Sequence, residues 1–197
     1  MANTDIVRGF KLVGTLHGRP AQIRRYAILA ADGTATFIGD AVKVGGSSDA
    51  GGFTKSVVQA AAADAILGVM VGVDKITGVS DANLNLYQTH RPASVLMNVW
   101  VCDDPDAIYE IQEDGVGATI AVGDIGLNAD IIVAAGNATS GMSGMEVDIE
   151  SKLTTATLQV KILGLVDRAD NELAANAKLL VKINNHQYGS STGTAGV

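Results

Sequence analysis

The side chains able to act as nucleophiles are few and scattered along the chain. Cys102 is the one cysteine of the sequence, and His90 is the histidine with which it could form a Cys–His pair. Ser143, in the segment GMSGM, only loosely resembles a nucleophile elbow, which needs a helix directly after the serine. A free cysteine at the end of an apolar strand is more often a small core residue. We therefore expect packing roles for these side chains.

Carboxylates offer a second kind of chemistry. Glu110 and Glu113, with Asp114 beside them, could form the acid and base of a hydrolase. Carboxylates at a hairpin edge are, however, a common device for solubility. The sequence predicts no catalytic residues, and the acid–base interpretation stays as an alternative that alanine substitution at all three positions would test.

Metal and phosphate sites lack the required spacing. The three histidines are dispersed, so no zinc pattern exists, and the acidic turn CDDPD lacks the glycine and distal glutamate of a calcium loop. The residues concerned are His17, His90, His186, Asp103, Asp104 and Asp106. The glycines of GVGATIAVG at 115–123 precede no long helix, which a dinucleotide site needs. We expect no metal and no cofactor.

Charge and composition argue against nucleic acid and membranes as partners of this protein. The net charge is -7, and the only tight basic pair is Arg24–Arg25, so the basic stripe of a nucleic-acid-binding protein is missing. The N-terminal segment MANTDIVRGF has no apolar signal-peptide core, and no apolar run approaches the ~20 residues of a membrane helix. A single cysteine fits a reducing cytoplasm. We expect a soluble protein made in the cytosol, with no membrane and no direct nucleic-acid partner.

Short strand-like runs with turns at near-regular spacing predict a mainly β protein, an antiparallel β-sandwich or barrel. No helical pattern lasts three turns, and no repeat of fixed period is found. We divide the chain into an extended N-terminal arm at 1–20, a single β-rich domain at 21–184 and a C-terminal tail at 185–197. The predicted strands lie at 22–29, 34–38, 41–44, 53–59, 66–73, 94–101, 107–111, 129–135, 155–166 and 179–183. A long polar loop is predicted at 74–92 and a helical turn at 171–178.

Five segments, in this order, resemble a known group of proteins. They are GDAVKVGG at 39–46, VVQAAAADAILGVMVGV at 57–73, YEIQEDGVG at 109–117, VGDIGLNADIIV at 122–133 and DNELAANAKLLVKINNH at 170–186. The pattern resembles tailed-bacteriophage structural proteins that are encoded near the major capsid protein and are regarded as capsid decoration, or cement, proteins. The resemblance spans the chain from about Arg24 to His186.

The resemblance implies a structural virion protein on the outer capsid surface. Such a protein would bridge and stabilise subunits of the phage major capsid protein, as a homo-oligomer that is dimeric or trimeric. The family has no catalytic residues to transfer, and it implies no cofactor.

The partner-contact residues are inferred from the chain itself. The arm carries apolar anchors and local positive charge, and either it lies on a partner or it is an ordinary first strand. The C-terminal segment NNHQYGSSTGTAGV at 184–197, rich in small residues from about Gly189, is expected to be disordered or ordered only on a partner. The interface candidates are Val7, Arg8, Phe10, Lys11, Leu12, Arg19, His186 and Tyr188.

Two other functions remain open. One is another virion component, such as a head fibre or a tail-associated protein; a major capsid subunit is disfavoured because no stretch predicts a long spine helix. The other is a β module that binds carbohydrate on host cells. Such a module would show exposed aromatic side chains near acidic or amide groups, whereas Trp100, the only tryptophan, lies in an apolar strand.

Overall fold

The computed structural model describes residues 3–78, 80, 85, 87–189 and 192–197. Apart from a short 3₁₀ turn at Val122–Asp124, the regular structure of these residues is β, which confirms the predicted fold class. The strands are β1 Lys11–Thr15, β2 Ile23–Ile28, β3 Ala41–Ser48, β4 Lys55–Gln59, β5 Gly68–Ile76, β6 Met97–Cys102, β7 Ala107–Gln112, β8 Asn128–Ile132, β9 Glu146–Leu153, β10 Val160–Leu165 and β11 Lys178–Ile183.

Strands β2 to β6 form a closed barrel in the order β2-β4-β3-β5-β6. Most neighbours are antiparallel, and β2 closes the barrel by pairing with β6 along its length and with β4 in parallel at Ala27 and Ser56. Alternate residues of β6 (Met97, Val99 and Val101) are fully buried, as a strand with one face toward a barrel interior requires.

The remaining strands form a six-stranded sheet in the order β1-β7-β11-β10-β8-β9. This second sheet curls until Glu113, just after β7, makes an isolated parallel bridge with Val147 of β9. Read around the barrel in the opposite direction, the strand order is β2-β6-β5-β3-β4. In the second sheet, the strands after β1 follow the order β7-β11-β10-β8-β9. Each strand of the second series is the one that comes five strands later in the chain than its counterpart in the barrel. The chain therefore contains one five-stranded topology twice.

Several predicted boundaries are wrong. Residues 34–38 form only isolated bridges, at Thr36 and Ile38, and the strand predicted at 155–166 begins at Val160. Residues 171–178 form turns and bends instead of a helical turn, and β9 was missed altogether. The polar loop predicted at 74–92 starts later, since β5 continues to Ile76, and its residues 79, 81–84 and 86 lie outside the described residues.

The N-terminal arm is built into the protein at the junction of the two sheets. Residues 11–15 form β1, which pairs with β7. The Phe10 N–H donates to the Gly39 carbonyl oxygen at 2.9 Å, and the Phe10 ring packs edge-on against Tyr109 with centroids 5.7 Å apart. Phe10 is only 3% exposed and belongs to a buried cluster that takes residues from both sheets. This part of the arm is thus a first strand and a core element of its own chain.

Two glycines allow the close approach at this junction. Gly9 and Gly39 both have positive φ, at 64° and 95°. A Cβ atom on Gly9 would lie 2.4 Å from the Ser143 Cβ, and one on Gly39 would lie 2.6 Å from the Arg8 carbonyl oxygen. Any other residue would therefore combine backbone strain with a steric clash.

The C-terminal tail also lies on its own chain. The Gly196 N–H donates to the Thr154 carbonyl at 3.0 Å, and the Val197 N–H donates to the Gly126 carbonyl at 3.1 Å. The Asn184 side chain accepts hydrogen bonds from Thr194. The expectation of disorder, or of order only on a partner, is wrong for residues 192–197; residues 190 and 191 lie outside the described residues.

Asp40 is a fully buried carboxylate next to Gly39. Its Oδ2 accepts hydrogen bonds from the Phe37 N–H at 2.8 Å and from the Gln59 amide at 2.9 Å. Burial raises the pKa of Asp40, and hydrogen bonds from Ser143, Phe37 and Gln59 oppose the rise without cancelling it. The folded protein therefore binds this proton more tightly than the unfolded chain does.

We expect Phe10→Ala to lower the free energy of unfolding by about 3–5 kcal/mol, because it opens a cavity between the sheets. Val13→Ala is the matched control: Val13 lies on the same arm but is 54% exposed, so its truncation should cost less than about 0.5 kcal/mol. Denaturant unfolding monitored by circular dichroism measures both. A Phe10→Ala cost similar to the control's would show that the arm is not part of the core.

We expect Asp40→Asn to gain stability over the wild type as the pH rises. Because the pKa of Asp40 is raised in the folded protein, its proton binding contributes fully to the free energy of unfolding below the unfolded pKa, near 3.8. This contribution is lost as the pH rises through the folded pKa. Asparagine keeps an acceptor oxygen but cannot ionise. Free energies of unfolding measured from pH 4 to pH 8 test this, with the exposed Asp167→Asn as control. A pH-independent difference between Asp40→Asn and the wild type would contradict the assignment.

Candidate functional site

The N-terminal arm and β7 enclose a cleft of about 380 Å³ on the second sheet. Four basic and two acidic side chains line it, on a protein whose net charge is -7. We call this the basic cleft; its charged residues are Arg8, Lys11, Arg168, Lys178, Glu110 and Asp170. The excess of cations in the cleft is a local reversal of the protein's overall charge.

Ion pairs neutralise only part of the positive charge in the basic cleft. The Glu110 carboxylate is shared by Lys11, at 3.3 Å, and Arg168, at 3.2 Å. Arg168 also pairs with Asp170 at 3.2 Å. The exposed Arg8 makes no ion pair with any residue that the structure describes, so its guanidinium is available to an anionic partner.

A partly buried hydrogen-bond network fixes the floor of the cleft. Lys178 Nζ donates to the Gln112 side-chain oxygen, to the Thr4 carbonyl at 2.8 Å and to the Asn176 carbonyl at 3.1 Å. The Gln112 amide nitrogen donates to Asp5 at 2.8 Å. Burial lowers the pKa of Lys178, against the opposing effect of Asp5. The network therefore holds residues 4–5 of the arm against β7 and β11.

The arm is held at further points on either side of Arg8. The Ile6 N–H donates to the Gln112 side-chain oxygen at 3.0 Å, and the Asn3 amide donates to carbonyls of residues 172, 174 and 175. Because Gly9 and Phe10 are fixed at the sheet junction, the backbone around Arg8 is positioned from both directions.

The structure brings together only part of the predicted interface set. Arg8 and Lys11 line the basic cleft, and Arg19 is exposed in the turn after β1, where its carbonyl accepts a hydrogen bond from Thr15. Phe10 is buried, while Val7 and Leu12 are half-buried. The hydrophobic anchors of the arm thus contact the protein's own core, and the charged residues face outward.

His186 and Tyr188 lie elsewhere. His186 is 1% exposed, and its Nδ1 accepts the Tyr188 N–H at 3.0 Å. Burial lowers the pKa of His186, which favours the neutral imidazole. Tyr188 is 52% exposed and borders a shallow cleft with Asp103, whose Oδ2 accepts a hydrogen bond from the Tyr26 hydroxyl at 2.6 Å. Of the two tail candidates, only Tyr188 is exposed to a partner.

The candidate nucleophiles occupy packed positions. Cys102 is buried, and burial raises the pKa of its thiol, which disfavours the reactive thiolate. His90 instead stacks on Phe37 with ring centroids 4.8 Å apart. The Ser143 hydroxyl accepts the Met145 N–H at 3.0 Å, and the serine packs against Gly9 at the sheet junction. The structure therefore does not form the Cys–His pair that the sequence offered.

The candidate carboxylates do not converge. Glu110 lies on the cleft side of β7, whereas Glu113 is three residues further along, on the opposite face, where it accepts the Gly115 N–H at 3.1 Å. Asp104 accepts backbone N–H groups, and Asp106 pairs with His17 at 2.9 Å. Among the residues described, no group of three or more His, Cys, Asp or Glu side chains is placed to hold a metal ion.

Sequence reasoning missed Arg168 and Lys178 in the basic cleft and the exposure of Trp100. The two basic residues lie more than 150 positions after Lys11, and only the pairing of β11 and β1 with β7 brings them to the arm. Trp100 is 42% exposed, because it alternates with the inward-facing Val99 and Val101. The alternation along β6 was the available signal for that outward position.

No helix within the described ranges is long and apolar enough to cross a membrane. Comparison of the chain with protein-family models, with curated proteins and with solved structures gives no match.

Proposed function

We propose that the protein is a structural virion protein that decorates the outer capsid surface, where it bridges and stabilises subunits of a phage major capsid protein. The observation that supports this proposal is the basic cleft on an otherwise acidic protein. Its unpaired Arg8 and its partly neutralised Lys11 and Arg168 suit an acidic patch on a partner protein.

The construction of the cleft favours a binding role. The cleft walls are β7, β11 and an arm fixed by backbone and side-chain hydrogen bonds, so little conformational entropy is lost when a partner binds. A decoration protein requires such a preorganised surface because its contribution is mechanical: it adds contacts between neighbouring subunits of a shell.

Strand β1 offers a second means of attachment. Among the described strands it pairs only with β7, so its other edge presents unpaired backbone groups. An extended segment of a neighbouring chain can add to such an edge, where main-chain hydrogen bonds supply affinity. In this proposal β1 contributes to capsid binding or to a dimer or trimer of the chain, and the protein makes no direct contact with nucleic acid.

We expect Arg8→Glu to weaken binding to capsids about tenfold, because it places a like charge against an acidic partner surface. The assay is co-sedimentation of the purified protein with empty shells of the major capsid protein that lack it, at low and at moderate salt. Lys55→Glu is the matched control, since Lys55 is exposed on β4, away from the cleft, and carries the same charge change. It should bind within about twofold of the wild type.

If the wild-type protein does not bind such shells, the proposal is wrong. If both variants weaken binding equally, the basic cleft is not the capsid-binding surface. Binding to tails or fibres in place of shells would assign the chain to another virion component. Because Phe10 is part of the core, point variants are more informative than deletion of the arm.

A further inference from the structure

We propose that the outer face of the barrel around Trp100 is a carbohydrate-binding site, at which a pyranose ring stacks on the indole. We call this surface the Trp100 face; it is formed by Trp100 and Asn98 of β6, Arg25 of β2, and Gly72 and Asp74 of β5. The site lies on a different sheet from the basic cleft and does not depend on the proposed capsid function.

The strand register places the indole at the centre of this face. Trp100 is paired with Arg25 on one side and with Gly72 on the other. Since Val99 and Val101 point into the barrel, Trp100 and Asn98 point outward together. A tryptophan that is 42% exposed on a regular strand leaves part of its apolar ring surface in water, where a flat ligand can stack on it.

Gly72 keeps one edge of the indole open. A Cβ atom at this position would lie 3.7 Å from Trp100 Cδ1, an ordinary van der Waals contact. Gly72 also lacks the positive φ that would require glycine. The fold therefore does not demand a glycine here. Because Gly72 has no side chain, the surface beside Trp100 on β5 forms a shelf on which a flat ligand could lie.

Polar groups border the ring in the arrangement that hydroxyl groups need. The Arg25 guanidinium pairs with the Asp74 carboxylate at 2.8 Å, and because β2 and β5 flank β6, this ion pair crosses β6 next to Trp100. Both side chains remain partly exposed, at 50% and 31%. The half-buried Asn98 carboxamide makes no hydrogen bond with any described residue. Donors and acceptors thus surround an apolar ring, as in small-molecule sites.

The size of the apolar patch favours a sugar over a protein partner. Trp100 and Ile23, 42% and 45% exposed, are the large exposed hydrophobic residues on this face. A tryptophan buries about 150–250 Å² at most, so the exposed indole offers about 100 Å². A stable protein interface needs about 800 Å² from each partner. The patch matches one or two sugar rings, and we expect a weak, roughly millimolar site whose effect would grow with the number of linked copies.

Trp100 is the only tryptophan, so intrinsic tryptophan fluorescence reports on this site alone. The experiment titrates the purified full-length chain, without capsids, with hexasaccharides of glucose, galactose and N-acetylglucosamine. We expect a saturable change in emission with at least one of them. Isothermal titration calorimetry with the same sugar then compares Trp100→Ala with the wild type, and binding should fall at least about tenfold.

A second variant separates loss of the site from loss of folding. Gly72→Val retains the tryptophan and fills the shelf, so we expect about tenfold weaker binding with the fold intact. Gly46→Val is the matched control, because Gly46 lies on β3 with open space around its Cβ position and has no positive φ; it should bind like the wild type.

No binding by any of the three sugars, or equal effects of Gly72→Val and Gly46→Val, would overturn the proposal. So would a change of oligomeric state in Trp100→Ala, measured by light scattering, because it would identify the Trp100 face as a contact between copies. None of these outcomes bears on shell binding through the basic cleft, which is measured with other variants and another assay.

Discussion

The close backbone contact at the sheet junction is the constraint on which the other features depend. Gly9 and Gly39 meet there with no room for a Cβ atom on either, and Ser143, in the loop between β8 and β9, completes the contact. This approach seats Phe10 in the shared core and fixes the direction in which the chain enters β1. Arg8 directly precedes the junction, so the same contact that joins the sheets also positions a cation that makes no ion pair with the described residues.

The repeated five-strand topology explains why two sheets can share one core. A parallel contact joins the two ends of each set: β2 pairs with β4 and closes the barrel, whereas in the second sheet a single isolated bridge links Glu113 with Val147. The repeat is invisible as a sequence period because equivalent strands are unequally spaced. The starts of β2 and β7, at residues 23 and 107, are 84 residues apart, whereas those of β4 and β9, at residues 55 and 146, are 91 apart. Loops absorb the difference, and only pairing reveals the relation.

The sequence predicted a mainly β fold because alternation and turn residues are local properties. The missed strand β9 also carried that signal, with Val147 and Ile149 buried between acidic residues, but its proximity to a Gly/Ser-rich loop obscured it. The charged cleft was predictable only from the arm side, through Arg8 and Lys11. Arg168 and Lys178 join it through strand pairing at long range, which spacing along the chain does not encode.

The two proposed surfaces differ in chemistry because they use the two sheets in different ways. At the basic cleft the chain folds back across its own sheet, which concentrates charge between an arm and two strands and makes a recess. At the Trp100 face side-chain alternation along the barrel strands decides what is presented: an indole, an amide and an ion pair on the surface of the sheet. A recess with an excess of positive charge favours fast and selective association with an acidic surface. A flat aromatic face with polar borders favours weak contacts that gain strength only by repetition, which is what a shell carrying many copies would supply.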